Sequence, residues 1–136
     1  MPLAPADLIG TWDMVAFVTT FEDGSTLQPY GPTPKGRILY TADGAMSAHL
    51  WDPDRHRPGV PSNGDPSYFS YYGTWELRGQ TVHHTVIAAH YPDWAGSIQI
   101  RRIVPQGDEI ELIAEGVVFQ GKTGRGEIRW RRVGGP

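Results

Sequence analysis

Apolar and β-branched residues alternate with polar residues along most of the chain, in short segments separated by glycine-rich turns. The alternating segments are residues 11–21, 37–41, 45–51, 68–77, 81–90, 97–104, 109–119 and 125–133. A period of two is typical of strands that bury one face, and turn pairs such as Asp23-Gly24, Asp43-Gly44 and Gly79-Gln80 are typical of hairpins. The pattern predicts an all-β chain of eight or nine antiparallel strands, preceded by one helical turn at residues 6–9.

The two ends of the chain indicate how these strands close. Gly10-Thr11-Trp12 opens the first strand, and Arg131 and Arg132 lie on the last one. A Gly-x-Trp segment facing an arginine of the closing strand plugs the base of a small up-and-down barrel, with the guanidinium over the indole ring. We therefore predict one barrel domain over residues 1–136, with a two-sheet sandwich as the alternative.

Composition narrows the classes of function. The chain has no cysteine, so disulfides and thiolate metal sites are excluded. A formal charge of −3 gives no attraction to nucleic acid, and no apolar run reaches the length of about 18 residues that a membrane span needs. Residues 1–5 lack the features of a secretory signal. We expect a cytoplasmic protein with neither a membrane nor a nucleic-acid partner, and no cofactor.

Counting residues across the turns predicts which side chains point inward. A two-residue turn at Gly79-Gln80 places Trp75 opposite His84 and Tyr71 opposite Ala88. The predicted interior face comprises Phe69, Tyr71, Trp75, Leu77, Val82, His84, Val86 and Ala88, with His90 at its end. The same count across residues 106–108 turns Arg101 inward with Gln99 and Leu112, although a bulge or an odd loop length would invert this result.

Two further segments are harder to place. Around Asp43-Gly44, the count groups Leu39 with Met46, Ala48 and Leu50 on one face, and Tyr40 with His49 and Trp51 on the other; both faces carry apolar groups. Residues 52–67 hold four prolines and two glycines, which predicts a long loop over the open end of the barrel, of the kind that forms lids or binding sites.

The chain resembles the lipocalin-like domain family of small bacterial and fungal proteins. The resemblance runs through residues 8–12, 29–31, 36–48, 71–76, 82–84 and 91–96, in order and over nearly the whole chain. It implies a calycin-like barrel with an internal pocket for small, mostly apolar molecules. It also implies that His84, Trp94, Gln99 and Arg101 occupy positions typical of the family. Some such barrels act as cyclases or isomerases, so the resemblance permits an enzyme without supplying a catalytic motif.

Three hypotheses for the function follow. The first is a carrier of a small apolar molecule with one polar or anionic group, and its predicted ligand-binding residues are Phe69, Tyr71, Trp75, His84, Val86, Trp94, Gln99, Arg101 and Leu112. The second is a cofactor-independent isomerase, cyclase or dehydratase with His84 as acid or base and Arg101 stabilising negative charge. The third is a barrel with a solid interior that serves as an interaction module.

Metal binding and self-association complete the expectations. His83 and His84 point to opposite faces, and His84 lies six residues from His90, roughly 20 Å along a strand, which excludes a site made of two strand histidines. His49 or His56 could still join one of them, but we expect no metal site. Trp51 and Tyr68 are predicted to be exposed, where they could form the interface of a homodimer.

Overall fold

The computed structural model describes residues 2–56 and 67–134, and this part of the chain is all-β. Its strands are β1 (Gly10–Phe21), β2 (Thr26–Leu27), β3 (Lys35–Tyr40), β4 (Ala45–Trp51), β5 (Tyr68–Arg78), β6 (Thr81–Ala89), β7 (Ile98–Gln106), β8 (Glu109–Phe119) and β9 (Lys122–Gly134). Short 3₁₀ turns lie at Pro5–Asp7, Pro53–His56 and Pro92–Trp94. No helix among the described residues could cross a lipid bilayer. Most of the long connection predicted at residues 52–67 lies outside the described residues.

The strands close into a barrel. Each strand from β3 to β9 pairs antiparallel with the next, and β1 pairs with β3 on one side and with β9 on the other. The short β2 adds to β1 beyond the end of β3, after the predicted Asp23-Gly24 turn. The ring therefore consists of eight strands plus one extra strand, and the predicted barrel, not the sandwich, is confirmed.

The base of the barrel has the predicted plug. Trp12 is 2% exposed, and the Arg132 guanidinium carbon lies 4.3 Å from the centre of its ring. The Trp12 Nε1 donates to the Leu8 carbonyl at 2.9 Å, and Arg132 donates to the carbonyls of Ile9 and Asp7, each at 2.6 Å. The arginine thus links β9 to the segment that precedes β1.

The hairpin at Asp43-Gly44 has the opposite parity from the one predicted. The Thr41 amide donates to the Ala45 carbonyl at 2.9 Å, which leaves a three-residue loop with Gly44 at φ +91°. An odd loop of this kind, a turn followed by a left-handed glycine, shifts the register by one residue. Tyr40 consequently pairs with Met46 and is 1% exposed, whereas Leu39 pairs with Ser47 on the outer face. The prediction that Leu39 shares a face with Met46, Ala48 and Leu50 was wrong.

A β-bulge between β5 and β6 overturns a second prediction. Gly73 pairs with Val86 but Tyr72 pairs with Ala88, so β6 has one extra residue at Ile87. Tyr71 therefore lies opposite Ala89, and Ala88 is exposed instead of facing the interior. Beyond the bulge His90 also turns outward, where its ring lies 6.1 Å from that of Tyr68. Before the bulge the predicted pairs hold, Trp75 with His84 and Leu77 with Val82.

Gly73 is required at the bulge by the close approach of two backbones. A Cβ atom on this residue would lie 1.9 Å from the carbonyl oxygen of Thr85. Only glycine lets the strands come together here, and the resulting register keeps Tyr71 and His84 on the same inner surface.

Candidate functional site

A cavity of about 230 Å³ occupies the interior between the base and the open end of the barrel. Its described lining is predominantly apolar and draws on every strand of the ring. The lining residues are Phe17, Thr19, Tyr30, Ile38, Ala48, Leu50, Phe69, Tyr71, His84, Tyr91, Trp94, Arg101, Leu112, Ala114, Val117, Gly126, Ile128 and Trp130. The barrel is hollow, which contradicts the hypothesis of a solid interior.

The structure brings most of the predicted ligand-binding residues to this cavity. Six of the nine line it: Phe69, Tyr71, His84, Trp94, Arg101 and Leu112. The other three do not, for different reasons. Trp75 lies towards the base, where its Nε1 donates to the Thr41 carbonyl at 2.9 Å. Val86 is packed in the core and is 2% exposed. Gln99 does not line the cavity itself, but its side-chain oxygen lies near the Arg101 guanidinium, which does.

His84 is the most enclosed polar group of the site. It is 1% exposed, and each ring nitrogen has a tyrosine partner: the Tyr40 hydroxyl lies 2.7 Å from Nε2 and the Tyr71 hydroxyl lies 2.7 Å from Nδ1. Three strands contribute one residue each, β3, β6 and β5. Both nitrogens are thereby satisfied inside an apolar environment, as buried polar groups require.

Burial sets the protonation of this trio. Loss of solvation lowers the pKa of His84 to about 3, and the charges of Arg101 and His83 act in the same direction. Burial raises the pKa of Tyr71 to about 12 and that of Tyr40 well above its ordinary value, against the opposing effect of Arg101 on each. The imidazole and both phenols are therefore neutral near pH 7.

Arg101 brings a positive charge to the cavity. Its Nη1 donates to the carbonyl of Ile100 at 3.0 Å, and its Nη2 lies 3.4 Å from the side-chain oxygen of Gln99. Gln99 is held in turn, because its Nε2 donates to the Ser97 hydroxyl at 2.9 Å. No carboxylate of the described residues pairs with Arg101, whereas its neighbour Arg102 pairs with Glu115 on the outer face.

Aromatic rings form the wall towards the open end. The ring of Phe69 stacks on Tyr91 with centroids 5.0 Å apart and meets the edge of Trp94 at 4.8 Å. On the other side, the rings of Phe17 and Tyr30 are 5.5 Å apart. Trp94 and Tyr91 belong to the connection between β6 and β7, so this wall is built from a loop as well as from strands.

Sequence reasoning missed two parts of the site. The parity count assumed an even loop and therefore grouped Tyr40 with His49 and Trp51, on the face opposite Met46. The glycine at the third position of the Ala42-Asp43-Gly44 loop is the signal that identifies a bulged three-residue turn. Tyr30 and Tyr91 come from irregular connections, where no alternation identifies the inner side. Within the described ranges, no three histidine or acidic side chains converge as metal ligands.

The fold and the cavity together define a class: closed antiparallel barrels that carry an internal, mostly apolar pocket. The family model of the lipocalin-like domain matches residues 9–133. The chain therefore belongs to the lipocalin-like domain family. A search of curated proteins found no match to it. Barrels of this fold commonly bind small hydrophobic ligands.

Proposed function

We propose that the barrel binds a small, largely apolar molecule with one anionic or strongly polar group, which Arg101 receives inside the cavity. The observation that carries this proposal is an arginine that lines an apolar cavity with no carboxylate partner in the described part of the chain. A partly buried charge needs compensation, and the side chains present supply only neutral acceptors. An anionic ligand would supply the missing charge.

The cavity limits the size of the ligand. An engineered cavity of about 150 Å³ holds one benzene molecule. The 230 Å³ found here is thus suited to a ligand with roughly ten non-hydrogen atoms inside the barrel. The rings of Phe69, Trp94 and Tyr91 offer broad apolar contact near the opening, while the charge of Arg101 lies on the wall formed by β7.

The alternative, an isomerase, cyclase or dehydratase, gains no support from the position of His84. A general acid or base must exchange a proton with the substrate. Here both ring nitrogens are engaged by tyrosines, and burial keeps the imidazole neutral. Binding without turnover is the function that this geometry supports best.

Calorimetric titration with cinnamate and cinnamyl alcohol tests the proposal. The two probes share one apolar skeleton of suitable size and differ in the carboxylate. We expect cinnamate to bind more tightly, and Arg101→Met to weaken its binding by about 10- to 100-fold, the value of a charge-assisted hydrogen bond. The same variant should leave the alcohol nearly unaffected.

Arg102→Met is the matched control, because Arg102 is the next residue of the same strand and lies on the outer face. Its exposed ion pair with Glu115 contributes little to stability. Equal losses of cinnamate affinity in the two variants, or an alcohol that binds as tightly as the acid, would contradict the proposed function.

A further inference from the structure

The hydrogen atoms of the Tyr40, His84 and Tyr71 side chains can be counted. Each tyrosine has one O–H, and a neutral imidazole has one N–H and one acceptor nitrogen. Two contacts join the three groups, Tyr40 to Nε2 and Tyr71 to Nδ1. One tyrosine must therefore donate to the ring and the other must accept from it. The accepting tyrosine keeps a hydrogen that needs another acceptor.

The surroundings of the two tyrosines decide which one keeps that hydrogen. Tyr40 is 1% exposed and does not line the cavity, and His84 is the sole hydrogen-bond partner of its hydroxyl among the described residues. A spare hydrogen on Tyr40 would be a buried, unpaired donor, which is unfavourable. Tyr71 lines the cavity, so a spare hydrogen there can meet a bound molecule. The favoured arrangement has Tyr40 donating to Nε2 and Nδ1–H donating to Tyr71.

We propose that this directional chain holds His84 in the Nδ1–H tautomer and makes the Tyr71 hydroxyl a hydrogen-bond donor to the group that Arg101 binds. The ligand's inner group is then an acceptor, such as a carboxylate or an enolate, and not an ammonium. This inference rests on the proposed function for the presence of a ligand, but the tautomer does not depend on it.

Two observations support a shared ligand group for Tyr71 and Arg101. Both side chains line the same cavity, and the charge of Arg101 opposes the effect of burial on the pKa of Tyr71. The guanidinium offers only donors and a positive charge, and the Tyr71 hydroxyl adds the hydrogen that this chain leaves on it, whereas His84 has no free lone pair to add. Tyr40 acts through His84 and is a positioning residue.

The tautomer is tested first, without any ligand. Long-range ¹H–¹⁵N correlation spectra of the ¹⁵N-labelled protein distinguish a protonated from an unprotonated ring nitrogen of His84. We expect a protonated Nδ1 and an unprotonated Nε2 at neutral pH. A protonated Nε2 would overturn the chain, whatever the protein binds.

The ligand is tested with cinnamate and with cinnamylamine, which has an ammonium in place of the carboxylate. We expect cinnamate to bind and the amine not to bind. Tyr71→Phe should lower the affinity for cinnamate roughly tenfold, while Tyr72→Phe, the adjacent and exposed residue, should leave it unchanged. Equal effects of the two variants would overturn the role of Tyr71.

Tyr40→Phe tests positioning. Because Tyr40 does not touch the cavity, a purely structural role would leave the tautomer of His84 and the cinnamate affinity as they are. We expect a mixture of tautomers in the spectra and a loss of affinity of about threefold. If the wild-type protein shows the Nδ1–H tautomer but binds no cinnamate, the proposed function and the ligand half of this inference fail together, and the hydrogen-bond chain stands.

Discussion

His84 should make the stability of this protein steeply dependent on pH on the acid side. In the unfolded chain a histidine titrates near its ordinary pKa of 6.5, whereas burial lowers the pKa of His84 in the folded barrel to about 3. Between these values the unfolded state binds a proton that the folded state excludes. Stability is therefore complete above the higher pKa and declines as the pH falls towards the lower one.

The magnitude follows from linkage. One pH unit in this interval corresponds to about 1.4 kcal/mol for a single group. Going from about pH 7.5 to about pH 4.5, His84 alone should lower the free energy of unfolding by roughly 2.5 kcal/mol. The groups that act on the imidazole are the hydroxyls of Tyr40 and Tyr71, whose pKa burial raises, and the charges of Arg101 and His83.

Urea unfolding at a series of pH values measures the effect. In His84→Gln the titrating group is absent, although the variant is less stable at neutral pH. On the acid side, the slope of the free energy of unfolding against pH should therefore become shallower by the equivalent of nearly one proton. His83→Gln is the matched control, since His83 is the adjacent residue on the outer, partly exposed face. Parallel pH profiles for wild type and His84→Gln would refute the reasoning, as would an NMR titration in which His84 protonates near pH 6.5.

Two further predictions concern the framework of the barrel, and both are measured by urea unfolding. Trp12→Phe should lower the free energy of unfolding by about 1–2 kcal/mol more than Trp130→Phe does. The reason is that Trp12 loses its hydrogen bond to the Leu8 carbonyl, whereas the buried Nε1 of Trp130 has no partner among the described residues. Equal losses of stability in the two variants would contradict this. Gly73→Ala should lower stability by roughly 3 kcal/mol, since the new Cβ would overlap the Thr85 carbonyl oxygen, and an unchanged stability would show that the strands are not in such close contact.

The strands and the base of the barrel could be predicted from the sequence alone. Alternation and turn residues identified all but the two-residue β2, and the Gly-x-Trp segment with its arginine identified the closure of β1 on β9. Parity across Gly79-Gln80 and Gly107-Asp108 placed His84, Arg101 and Leu112 on the inner surface, because both turns have two residues. Where a turn has an even number of residues and no bulge follows, the alternation of the sequence and the turn residues suffice to assign the two faces of a strand.

The tertiary structure decided the remaining features of the site. Tyr40 points inward because the loop before β4 has an odd number of residues, and His90 points outward because of the bulge at Ile87. Each feature shifts the register by one residue and so reverses the face on which the side chain lies. The alternation of apolar and polar residues is compatible with either register. The contact of His84 with two tyrosines depends on three strands that meet only when the barrel closes. The cavity likewise depends on the combined volumes of side chains from the whole ring, which no single segment of the sequence specifies.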